Sequence, residues 1–262
     1  MDQAVLNTLL KSQPTLWRGR DRYTTPASIP TGFTALDAAL PGAGWSIGGV
    51  TELLVEQQGI GELSLLLPAL SRVAQCAGNS AGKCADKDKS KTQSLTDNQQ
   101  WAAMINPPHI PYAPAFSNAG IALDRLLIID SGDDMNTLWA TEQVLRSGLF
   151  GAVIAWVTKS SAQRQRRLQL AAEAGGSWAA VYRPLQARNE HSPVSTRICI
   201  TRQTSQTRPA IQSKLTLDII KVRAGNPQQL TIEPEEFDAS QGAEWPVPKS
   251  MPDLRGISQI RG

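Results

Sequence analysis

Residues 48–70 read GGVTELLVEQQGIGELSLLLPAL, and the change of pattern within them decides the fold. GGVTELLVE is a short apolar run with branched side chains, the signature of a strand buried on both faces. From Gly61 the spacing becomes helical: GELSLLLPALSRVAQ sets Leu63, Leu66, Leu67 and Leu70 on one face, which predicts a helix. Strand, glycine-bearing turn and helix together open a βα unit. The unit recurs. WAAMI (101–105) and RLLIID (125–130) read as buried strands, NTLWATEQVLRSG (136–148) as a helix ending in glycine, and GAVIAWV (151–157) as the next strand. QRQRRLQLAAEAGG (163–176) repeats helix plus glycine, and SWAAVYRP (177–184) follows as a strand. Such alternation predicts an α/β fold, a mostly parallel sheet with helices on both faces. STRICITRQ (195–203) and SKLTLDIIKVR (213–223) alternate more and lie close together, so they are expected to pair as antiparallel edge strands toward the C-terminus.

Upstream of this core, Ala4, Val5, Leu6, Leu9 and Leu10 recur at helical spacing before Pro14, so residues 1–30 are expected to hold a docking helix and a linker. GFTALDAAL (32–40) places Phe33, Leu36 and Leu40 on a helical stripe closed by PGAGW. The core domain is expected over 31–241. Inside it, residues 78–100 are polar, lysine-rich and without aromatics, too poor in apolar surface to order themselves, and read as a disordered insertion. Residues 242–262 read as a flexible tail, whose Trp245, Leu254, Arg255, Ile257, Ile260 and Arg261 are the candidate partner-binding residues.

The turn after the first strand is where nucleotide-binding folds write G-x-x-x-x-G-K-[ST], because backbone N–H groups wrap phosphates while Lys and a hydroxyl handle charge and metal. Aligning Gly61 with the second glycine puts Glu56 at the first, Glu62 at the lysine and Leu63 at the hydroxyl, with Gly59 as a spare glycine. A carboxylate thus stands where phosphate needs a cation. From Trp101 to Leu123 there is no Asp or Glu to activate water, and Asp130, at the place of a vestigial Walker B carboxylate, reads more simply as a turn residue before Ser-Gly. No enzyme activity and no cofactor are expected.

Other patterns add little. Cys76, Cys84 and Cys199 form no C-x-x-C pair, and with His109 and His191 as the only histidines a zinc site has few ligands. GNSAG fits G-x-S-x-G at Gly78, Ser80 and Gly82 but lacks the strand-to-helix context of a nucleophile elbow. The proline-rich PPHIPYAP, with His109 and Tyr112, reads as a rigid loop able to touch a partner. Arg164, Arg166, Arg167, Arg197, Arg202, Arg208, Lys214, Lys221 and Arg223 read as solvated charges, leaving weak DNA binding through phosphates as an open option at a net charge of +3. Trp139, Trp156 and Trp178 are expected in the core. No apolar run nears the roughly 20 residues that span a bilayer, and the start MDQAVLNTLLKSQ lacks a secretory pattern, so a cytoplasmic protein without membrane contact is expected.

The strings LWRGRD, GFTALDAALPGAGW, GIGELSLLLPAL, PPHIPYAPAF, LDRLLIID, LWATEQVLRSGLFGAVIAW and RRLQLAAEAGG, taken in order, resemble the RecA superfamily and more closely the ImuA family, which is related to the cell-division inhibitor SulA. The resemblance implies a RecA-like domain and a non-enzymatic adaptor of SOS-induced translesion synthesis, working with an ImuB-like relative of Y-family polymerases and an error-prone DnaE-type polymerase, with RecA as a further partner. The shared ancestry with SulA makes a division inhibitor binding FtsZ the runner-up reading, and an atypical ATPase is a further alternative because Asp130, Gly59 and Gly61 persist.

Overall fold

A computed structural model of the chain describes residues 27–74, 101–203, 214–223 and 225–233. The docking helix of 1–30, apart from its last residues, the insertion 78–100 and the tail with Trp245, Leu254, Arg255, Ile257, Ile260 and Arg261 lie outside the described residues. A two-stranded antiparallel ribbon, β1 (Ser28–Ile29) with β2 (Trp45–Ser46), brackets helix α1 (Thr34–Ala39). It leads into β3 (Val50–Val55), all six residues of which are buried.

The described residues form one eight-stranded sheet around β3. Its members are β4 (Trp101–Ile105), β5 (Leu126–Ile129), β6 (Phe150–Trp156), β7 (Trp178–Pro184), β8 (Thr196–Gln203), β9 (Lys214–Val222) and β10 (Gln228–Ile232). Their order is β10-β9-β8-β3-β7-β6-β4-β5. β3 to β8 all run parallel to their partners within that group, and β9 is antiparallel to both β8 and β10. Helices α1, α2 (Leu67–Val73) and α3 (Ala113–Asn118) bury Leu36, Leu70 and Phe116 against one face. Helices α4 (Asp134–Arg146) and α5 (Ala162–Gly175) bury Leu138, Leu145, Leu168 and Ala172 against the other. The mostly parallel sheet covered on both faces, with antiparallel strands toward the C-terminus, is therefore as the periodicity implies.

Local details depart from the expectation for identifiable reasons. The helix expected from Gly61 begins only at Leu67, after a 3₁₀ turn at Glu62–Leu65. Pro68 has no N–H for an i−4 bond and its ring would meet the carbonyl four residues back, so it fits only a helix's first turn. β5 is an edge strand, with Leu127 and Ile128 exposed rather than buried, because no described residue lies beyond it in the sheet. The loop expected in PPHIPYAPAF closes into α3, with Pro114 in its first turn. QQLTI forms β10, which its polar composition conceals. Trp156 and Trp178 are core residues as expected, stacked on Tyr182 and Trp45 at ring-centroid distances of 5.2 Å, but Trp139 is 62% exposed.

Helices α4 and α5 are fixed side by side. Asp133 caps α4 by accepting the Asn136 N–H at 2.8 Å, and the Asp134 carboxylate accepts the backbone N–H groups of Thr158 and Lys159, which lead into α5. At the far end a Cβ on Gly175 would stand 1.9 Å from the Leu145 carbonyl oxygen, so only glycine lets the two helix ends meet. Gly175→Ala is expected to cost about 1–3 kcal/mol through forced separation of these helices. A thermal melt at neutral pH checks it, and an unchanged midpoint would contradict the close approach.

Candidate functional site

The C-terminal ends of parallel strands are where open α/β sheets hold ligands. Here a cavity of about 400 Å³ lies at the ends of β3, β4, β6 and β7, lined among others by Glu56, Gln57, Asn106, Trp156, Thr158 and Arg183. Asn106 leaves β4 in the left-handed region at φ +54°, which asparagine tolerates better than most residues. Among the described residues Arg183 is the one cation lining this cavity, and it is already taken. Only 3% exposed, it donates Nη1 to Glu52 and Nη2 to Glu190, both at 2.8 Å. Burial alone would lower its pKa, but these bonded carboxylates raise it above the usual arginine value.

The loop between β3 and α2 is closed on itself. Gly59 and Gly61 adopt φ of +81° and +93°, the left-handed conformation that an anion-wrapping turn requires. The group they wrap is the loop's own side chain: Glu62, 6% exposed, accepts the Gly59 N–H on Oε1 at 3.1 Å. Tyr182 of β7 holds the turn from beneath, donating its hydroxyl to the Glu62 carbonyl oxygen at 2.9 Å. Burial, and then the Glu62 charge, push the Tyr182 hydroxyl well above its ordinary pKa, so it stays a donor. Glu56 is exposed at the cavity mouth, and Leu63 packs against the core beneath α2.

Of the sequence candidates, Glu56, Gly59, Gly61, Glu62 and Leu63 are thus brought together, and Asp130 is not. β5 is separated from β3 by β7, β6 and β4, so Asp130 stands four strand spacings away, about 19 Å at ~4.8 Å each. It is exposed, and its Oδ1 accepts the Gly132 N–H at 3.2 Å, the bond of a turn residue. Arg197, expected among solvated edge charges, is 6% exposed because Glu52 lies directly opposite it on β3.

Sequence reasoning missed the exposed apolar surface. Among the described residues, the large apolar side chains that are exposed are Trp101, Ile110, Tyr112, Leu123, Leu127, Ile128, Met135, Trp139, Leu149 and Leu170. Each lies between positions 101 and 170. The signal for Trp139 was available: Leu138 and Leu145, seven apart, define the buried face of α4, and Trp139 is turned about 100° from Leu138.

The same stretch carries the likeness to known proteins. The family model for the cell division inhibitor SulA matches residues 90–179. Over this segment the chain is similar to SulA. SulA of Edwardsiella piscicida is 26% identical over 126 residues, 48% of this chain and 62% of that protein. SulA of Klebsiella aerogenes is 29% identical over 102 residues, 38% of this chain and 59% of that protein. The chain thus spans about six tenths of the length of these curated relatives. The crystal structure of SulA from Pseudomonas aeruginosa aligns with 51% of this chain and 97% of that one, at 21% identity and a TM-score of 0.38. These matches overturn the translesion-adaptor expectation and the partners attached to it, the ImuB-like protein, the DnaE-type polymerase and RecA. The relatives found bear the name of the division inhibitor, and the ImuA resemblance gains no support from them. Among the described residues no helix is long and apolar enough to cross a membrane.

Proposed function

We propose that this protein is a SulA-like inhibitor of cell division that acts by binding FtsZ rather than by catalysis. One observation carries the proposal: every large apolar side chain exposed among the described residues falls within the segment matched by the SulA family model. Exposed apolar surface in quantity marks sites of protein association, and here the side chains that supply it all lie in the shared stretch of sequence. Edge strand β5 adds unpaired backbone groups beside Leu127 and Ile128, a surface suited to a protein partner. The RecA-like character of the scaffold belongs to the same proposal. On this view the glycine turn after β3 descends from a phosphate loop, and Glu62 has filled it.

The experiment is overproduction of the full chain in its own host without DNA damage, with purified FtsZ sedimented in parallel. Cells several-fold longer than controls, and less polymerised FtsZ in the pellet, are the expected outcome. Normal division at high protein level, together with unchanged sedimentation, would sink the proposal.

A further inference from the structure

A groove of about 510 Å³ runs between α4 and α5 on the sheet face opposite α2. Its floor is Leu138 and Leu168, both buried, and its walls include Met135 and Trp139, 60% and 62% exposed. Two guanidinium groups, Arg164 and Arg167, line it, and a third, Arg146, reaches its Glu142 from the next turn of α4. Arg146 and Arg167 both bind the same carboxylate, Glu142, at 2.9 and 2.8 Å, and their side chains remain 54% and 56% exposed. Arg164 has no carboxylate among the described residues, and its Nη2 lies 2.8 Å from the Met135 sulfur. One acid and two cations line the groove, and Arg146 shares that acid, so the surface around it carries a surplus of positive charge.

Folding accounts for Arg146 and Arg167, which neutralise the buried Glu142 carboxylate, but not for Arg164. Arg164, Arg166 and Arg167 occupy the first two turns of α5, where the N–H ends of the helix repel cations, and no acidic residue stands in its first turn. Nor does an indole in water stabilise α4. Trp and Arg around an apolar slot is the composition of residues that dominate protein interfaces.

We propose that this groove binds an acidic protein segment carrying one aromatic or large aliphatic side chain, which enters the slot between Met135, Trp139 and Leu168 while flanking carboxylates pair with Arg164 and Arg167. Bidentate pairing of carboxylate with guanidinium supplies the direction of docking. Single-stranded nucleic acid fits less well. Its bases would find a single exposed ring here, and sequence-tolerant binding of a strand relies on successive stacking platforms. The proposal is independent of whether FtsZ is the protein's partner.

The test is selection of a phage-displayed library of random 12-residue peptides on the full chain, followed by affinity measurement of the winners as synthetic peptides. Winners with two or more Asp or Glu beside an aromatic or leucine residue are expected, binding at least tenfold more weakly to Trp139→Ala and to Arg164→Glu. Arg164→Glu places an acid in the first turn of α5, so its melting temperature should hold or rise while binding falls, which separates lost recognition from lost folding. No selected peptides, winners without acidic residues, or winners indifferent to both substitutions would overturn the proposal. So would a twenty-residue oligothymidine that binds the groove more tightly than the peptides and loses affinity with Trp139→Ala.

Discussion

Glu52→Ala is expected to destabilise the fold by about 3–5 kcal/mol, the cost of breaking a buried ion cluster from one side. Glu52 is 1% exposed in the middle of β3, and its carboxylate joins the two strands that flank β3. Oε1 accepts Nη1 of Arg183 from β7 at 2.8 Å and Nε2 of Gln165 from α5 at 3.1 Å, while Oε2 accepts Nε of Arg197 from β8. Arg197 also donates to the carbonyls of Ala187, Arg188 and Glu190, so its guanidinium is held in a fixed frame. Removing Glu52 would leave two guanidinium groups in the interior with one carboxylate between them, that of Glu190, whose side chain is 54% exposed. Both side chains are almost fully buried, Arg183 at 3% and Arg197 at 6% exposure, so their charges would lose their main partner in the interior. Urea denaturation of the variant should show a much lower midpoint at an unchanged slope. Glu52→Gln keeps the shape and an acceptor without the charge, and should fall between. A loss below about 1 kcal/mol for the alanine variant would mean that the cluster does not bind the strands together.

The same cluster shows what sequence could and could not reveal. Strands such as WAAMI and GAVIAWV were legible because a buried parallel strand is an unbroken apolar run, and the helices because Leu138 and Leu145 or Leu168 and Ala172 return at helical spacing. Glu52, Arg183 and Arg197 interrupt such runs, and nothing local distinguishes a charge that faces water from one that faces another charge. Their partnership depends on β7 and β8 both lying against β3, a fact of sheet order that spacing does not encode. Asp130 suffered in the same way: it ends a strand as a metal-binding carboxylate would, but its strand lies at the sheet edge, far from the loop after β3. The acidic loop was legible in its charge at Glu62. That the carboxylate turns inward to meet Gly59 was not, since it depends on the left-handed turn and on Tyr182 from a strand more than a hundred residues on.

Mg-ATP at millimolar concentration is expected to give no saturable heat of binding with the full chain. A unit charge pair at about 4 Å is worth roughly 4 kcal/mol at an effective dielectric near 20, so exchanging a lysine for Glu62 forfeits that attraction and adds repulsion of similar size. Each 1.4 kcal/mol is about tenfold in affinity, so a fraction of this difference is enough to move binding out of the useful range. Geometry acts in the same direction as charge. The Gly59 N–H that would face a phosphate is bonded to Glu62, and Arg183, the cation lining the neighbouring cavity, is held by Glu52 and Glu190. Leu63 offers magnesium no hydroxyl, and Asp130 is too distant to share an ion with the loop. Glu62→Gln separates the two effects: it removes the repulsion without supplying a cation, and should remain silent in the calorimeter as well. Micromolar binding by the unaltered chain would require the Glu62 carboxylate to leave Gly59 and a cation to come from elsewhere, and would overturn the expectation.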